Sequence, residues 1–185
     1  MSKEQSPKQK KLQQIFLDLR TNDEKKVLKA VKSLETYGDA TAIKPLAKCL
    51  LNDPSEKVAK QILELLSSLK DTFSKVELME VIEDDNYQKI RQMLLTTIWN
   101  MKIDFSDYLA EFVEIAVSGD FMESLECLTI IENMEGPFIE EDVLDAQLHL
   151  KDYLEANPSG GDAQKAHLLS EIALKIKEIN RSLTD

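Results

Sequence analysis

Glycine and proline are scarce in this chain, five of each among 185 residues, and aromatic residues make up only 6%. That profile suits helices joined by short turns, and no strand pattern of alternating apolar and polar residues runs through the chain. Cysteine is nearly absent. Cys49 and Cys127 both fall in apolar helical registers, so they are expected to be reduced, buried thiols with no disulfide framework or catalytic role. Nowhere does an apolar run approach the roughly 18 residues of a membrane span. The first fifteen residues, MSKEQSPKQKKLQQI, carry lysines without the apolar core of a signal peptide. A soluble cytoplasmic protein is the expectation.

What is present is a hydrophobic content of 43%, enough to exclude wholesale disorder, and a pronounced negative charge of −11. The charge is unevenly spread. Residues 1–60 hold 13 Lys and Arg against 8 Asp and Glu, a balance of +5, whereas residues 61–160 hold 6 against 22, a balance of −16. The last 25 residues balance at 4 against 4. Such an acidic middle repels a phosphate backbone, which argues against nucleic acid as the main ligand; the acidity otherwise serves either solubility or a basic partner.

The apolar residues repeat. Ala30, Ile62, Leu94 and Cys127 form one column, Val31, Leu63, Leu95 and Leu128 a second, Leu34, Leu66, Ile98 and Ile131 a third, and Tyr37, Leu69, Met101 and Met134 a fourth. Successive members are 32, 32 and 33 residues apart, so one helix is written four times. This period belongs to helix-turn-helix solenoids. The expected architecture is all-α: an α-α superhelix, a solenoid of one domain over 1–185, with about four helix pairs and a capping helix at each end.

The segments follow from start and stop signals. Residues 1–6 are read as a disordered start. Ser6-Pro7 opens a cap helix over 7–20, with Leu12, Ile15, Phe16 and Leu19 on one stripe of an otherwise polar surface. Repeats are expected over 22–51, 52–83, 84–117 and 118–156. Gly38-Asp39 breaks the first, with the glycine in a left-handed closing position. Asn52-Asp53-Pro54 caps the second, Asp84-Asp85 opens the third, Ser118-Gly119-Asp120 opens the fourth, and Gly136-Pro137 stops its first helix. A helix over 139–156 carries Val143, Leu144, Leu148 and Tyr153. Asn157-Pro158-Ser159-Gly160-Gly161 reads as a turn before a closing helix over 162–183, with Leu169, Ile172, Ala173, Ile176, Ile179 and Leu183 on one face.

Residues 38–71, GDATAIKPLAKCLLNDPSEKVAKQILELLSSLKD, resemble HEAT repeats, most of all the subtype first noticed in phycobilisome lyases. Gly38, Asp39, Ala42, Ile43, Pro45 and Leu46 match its first part. Asp53, Pro54 and Val58 match its Asp-Pro-x-x-x-Val-Arg stretch, as do Asp85, Ile90 and Arg91. The arginine is replaced by Ala59 in the second repeat and by Ser124 in the fourth, so the aspartate–arginine ladder of such repeats is complete only at Asp85 and Arg91. The likeness covers residues 22–117 well. It implies that the second helices, near 41–51, 74–83, 106–117 and 139–156, line the concave, partner-facing side.

No phosphate-cradling or dinucleotide motif is present. Glu141, Asp145 and His149 share a helical face, but the Glu-x-x-His pair of di-iron bundles is missing, and a solvated acidic face is the simpler reading. His167 stands alone, and Glu83-Asp84-Asp85 lacks calcium-loop spacing and suits a helix cap. No cofactor or metal is implied. Trp99 stands out, because the other members of its column, Glu35, Ser67 and Glu132, are polar. With Phe105, Tyr108, Phe112 and Phe121 it gathers five of eleven aromatics into 23 residues. That cluster is either a local core or an interaction site. The candidate protein-binding residues are therefore Trp99, Phe105, Tyr108, Glu111 and Glu114. The expected function is a non-enzymatic protein–protein interaction scaffold whose acidic surface binds a basic protein partner, with no nucleic acid and no membrane. The alternative, implied by the repeat subtype alone, is a lyase or lyase-accessory protein holding a bilin-like chromophore.

Overall fold

The computed structural model describes residues 6–157 and 162–184, and among them every regular element is a helix. The disordered start read over 1–6 lies outside the described residues except for Ser6, and so does most of the turn at 157–161. The chain divides into two compact units, Met1–Ile103 and Asp104–Asp185, with the division inside the repeat expected over 84–117.

The first unit contains α1 (Pro7–Asp18), α2 (Glu24–Tyr37), α3 (Ile43–Leu51), α4 (Glu56–Ser67), α5 (Thr72–Glu83) and α6 (Gln88–Ile98). Alternate helices pack on one another: α2 against α4, α4 against α6, and α3 against α5, with α1 laid on α2. The 32-residue period explains the first two contacts, because it gives α2, α4 and α6 the same apolar face. Ala30, Ile62 and Leu94 are buried, as are Leu34, Leu66 and Ile98. Three column members depart from this, among them the half-buried Leu69. Leu63 is only half-buried, and Tyr37 is exposed with the Lys11 ammonium 5.7 Å from its ring centre. Val76, at the outer side of α5, is exposed as well.

The helix starts follow local chemistry. Ser6 accepts from the Gln9 amide while the Gln9 side chain accepts from the Ser6 amide, a reciprocal pair that satisfies two otherwise orphaned donors. The second repeat corrects the sequence reading. Its cap is Ser55, which accepts from the Val58 amide, and not the Asn52-Asp53 pair; Asp53 instead turns the chain with a φ of 50°. Gly38 also differs from expectation. Its φ of −66° and ψ of 157° are extended, not left-handed. Glycine is required there for space, since a Cβ would lie 2.5 Å from the Leu34 carbonyl oxygen. Lys44 on α3 reaches Glu80 on α5 at 2.7 Å, and Lys89 on α6 reaches Asp53 at 2.6 Å.

The second unit contains α7 (Leu109–Ser118), α8 (Phe121–Glu132), α9 (Glu140–Ala156) and α10 (Ala163–Thr184). α7 packs on both α8 and α9, and α10 closes over α8 and α9. Phe112, Cys127, Ile131, Val143, Ala146 and Ile172 are fully buried between them. Asp120 and Glu123 cap α8 reciprocally. Ahead of α7, the buried Ser106 hydroxyl donates to Asp104 at 2.8 Å and accepts from the Gly136 amide at 2.9 Å. This fastens the turn before α7 to the α8–α9 connection, where Gly136 has a φ of 86° and its bond to Pro137 is cis.

Two apolar faces read from sequence are corrected here. On α9 the buried residues are Val143, Ala146 and Leu150, while Leu144 and Leu148 are about half exposed. On α10, Ala173 and Leu183 are exposed, and Leu168 joins Leu169, Ile172, Ile176 and Ile179 inside. In both helices the side facing a neighbour decided the matter, because each sequence offered more than one apolar stripe.

Candidate interaction surfaces

The five residues singled out by sequence fall in both units. Trp99 belongs to the first unit, and Phe105, Tyr108, Glu111 and Glu114 to the second.

Trp99 immediately follows α6 and keeps helical backbone angles, φ −66° and ψ −16°. Its side chain is 50% exposed. It borders an open trough of about 810 Å³ between α4 and α6. Ala59, Leu63 and Ser67 form the α4 wall, and Met93, Thr96 and Trp99 the α6 wall. The physical cause is the small residues on the α4 wall: Ser67 occupies the Trp99 column and leaves the indole partly uncovered, and Ala59, two turns away, contributes only a methyl to the same trough. The Thr96 hydroxyl donates to the Met93 carbonyl at 2.6 Å, which leaves apolar contact as the trough's main resource. Glu56 and Glu64 stand exposed along α4, with Lys60 between them 3.9 Å from Glu64.

The remaining aromatics fill a core. Phe105 is buried and lies 6.4 Å from Tyr108 and 6.2 Å from Phe112 between ring centres, the latter edge to face. Phe105 is therefore unavailable to a partner, and Tyr108 is half-buried against it. Phe105, read from sequence as a binding residue, is a core residue instead: its ring packs edge to face on Phe112 of α7.

Glu111 and Glu114 occupy an acidic face. Glu111 is half-buried, and its carboxyl is raised above the ordinary value, chiefly by burial and then by Asp142, Asp107 and Glu114 around it. Asp142 at the start of α9 is likewise raised by burial and by Glu141, Asp145 and Asp107. The α7 and α9 carboxylates thus crowd one another across the helix pair. Leu144 and Leu148 of α9 are each about half exposed. They were missed as surface residues because Val143-Leu144 and Leu148 fit an apolar stripe equally well on paper.

Among the described residues no group of three His, Cys, Asp or Glu side chains is arranged to hold a metal ion, and His149, Asp145 and Glu141 do not form one. Neither cysteine forms a disulfide; Cys49 and Cys127 are both buried, and burial pushes the Cys49 thiol up. No described helix is long and apolar enough to cross a membrane. Over the described residues the protein these features define is all-helical, with helices packed on their neighbours. No family model, curated protein or solved structure matches the chain.

Proposed function

We propose that this chain is a non-enzymatic adaptor of the cytoplasm, a HEAT-like α-α superhelix that binds a basic protein on its acidic surface, without nucleic acid or membrane. The superhelix reading is supported by the 32-residue period and by the packing of α2 on α4 and α4 on α6. The partner reading is carried by one observation: Glu111 sits half-buried among Asp142, Asp107 and Glu114, a concentration of like charge that costs folding energy and is relieved by a cation. The half-exposed Leu144 and Leu148 of α9 add, in the same unit, apolar area of the kind that anchors an interface.

The test is affinity purification from the native host with the wild-type chain and with Glu111→Lys/Glu114→Lys. Proteins with a basic surface are expected to co-elute with the wild type, to be lost with the variant, and to fall away with added salt. An identical set of captured proteins from both baits, insensitive to salt, overturns the reading. A saturable absorption shift on mixing with a tetrapyrrole would instead favour the chromophore-holding alternative.

A further inference from the structure

We propose that the trough between α4 and α6 is a second docking site, and that its occupant is an amphipathic helix of a partner protein with basic residues flanking an apolar ridge. This rests on reading the chain as an adaptor, but not on the α7–α9 surface.

The shape selects a helix. Ala59, Leu63 and Ser67 lie at i, i+4 and i+8 on α4 and make a furrow of small or half-covered side chains, with Met93 and Trp99 as the opposite wall. A furrow between two packed helices accepts side chains at helical spacing, which is the ridge-into-groove geometry of helix packing. The 50% exposed Trp99 and 43% exposed Met93 supply adaptable apolar area for such a ridge.

The charge selects the sign of its flanks. Glu56 and Glu64 mark the α4 edge eight residues apart, about 12 Å along the helix. Lys60 between them makes only an exposed pair with Glu64, with side chains 75% and 64% exposed, which a competing cation displaces at little cost. Lysine or arginine at i and i+7 or i+8 of the incoming helix meets both carboxylates. A second copy of this chain is disfavoured as occupant by the net charge of −11 on each molecule.

Trp99 is the chain's single tryptophan, so its emission reports on this trough alone. The probe is a synthetic amphipathic peptide of about 15 residues, the length at which an isolated helix begins to hold. It carries leucines at i, i+4 and i+7 flanked by lysines, and a sister peptide carries glutamates in their place. The lysine peptide is expected to shift Trp99 emission saturably to shorter wavelength, and the glutamate peptide to bind more weakly. Glu56→Gln/Glu64→Gln is expected to weaken the lysine peptide about fivefold, the equivalent of two exposed ion pairs. Met93→Ser is expected to weaken both peptides. Glu111→Lys/Glu114→Lys is expected to leave the shift intact, so that failure here is distinct from failure of the α7–α9 surface. The proposal is overturned by no shift with either peptide, or by equal binding of both. It is also overturned if emission shifts with protein concentration alone as the molecular mass doubles, which would identify a second copy as the occupant.

Discussion

Arg91 Nε donates to the main-chain carbonyl of Ile82 at 2.8 Å inside the protein, while the same guanidinium stands 3.4 Å from Asp85. The Asp85 side chain is 98% exposed and that of Arg91 only 7%. The aspartate–arginine pair legible in the sequence is therefore the weaker half of the arrangement. Arg91 of α6 satisfies a carbonyl in the last turn of α5, where backbone acceptors lack helical partners and positive charge suits the dipole.

Arg91→Ala is thus expected to destabilise the protein by about 2–3 kcal/mol, since it strands a buried acceptor and empties a packed site. Asp85→Asn is expected to stay within about 0.5 kcal/mol, as for most exposed pairs. Urea denaturation of the two variants checks this; equal losses would show that the ion pair governs.

Leu95 and Leu63 occupy the same repeat column, yet Leu95 is fully buried and Leu63 lines the open trough. Leu95→Ala is expected to cost about 2–5 kcal/mol. Leu63→Ala is expected to cost under about 2 kcal/mol, because less area leaves contact and water already reaches the site. Thermal melts followed by circular dichroism separate them.

The raised carboxyl of Glu111 makes a signed prediction. Its folded pKa exceeds its unfolded one, so the folded state binds more protons between the two values, and stability falls as pH rises through that window. Glu111→Gln is accordingly expected to stabilise the protein near pH 7, by less than about 1 kcal/mol given its partial solvent screening. The gain is expected to vanish below the ordinary glutamate range near pH 4, where both states are protonated. Melting temperatures of the two proteins across pH 3–8 read the effect.

Lys165 of α10 donates to the carbonyls of Val117 at 2.7 Å and Gly119 at 2.6 Å, beyond the end of α7's ladder, and lies 5.3 Å from the Tyr153 ring centre. Burial lowers its pKa against the pull of Asp120, Glu123 and Asp162. Lys165→Met keeps the stem and removes the donors, and is expected to cost about 1–3 kcal/mol. Loss of amide protection at the start of α8 under hydrogen exchange would locate the damage; an unchanged melt would show that water replaces the ammonium fully.

The sequence by itself determined that the protein is helical, where most helices lie, and which faces of α2, α4 and α6 turn inward. A 32-residue apolar period and local caps such as Ser6 and Asp120 act within one turn or one repeat, and both are written in neighbouring residues. It did not determine which of two apolar stripes α9 and α10 bury, nor whether each aromatic near Trp99 is core or surface. Phe105 is buried because Tyr108 and Phe112 of its own unit close around it, and Trp99 is exposed because Ser67, thirty-two residues earlier in the same register, is too small to cover it. Leu144 and Leu148 remain outside because α7 and α10 take the other side of α9. Burial is a property of what stands opposite a side chain, and only the packing of distant helices supplies that.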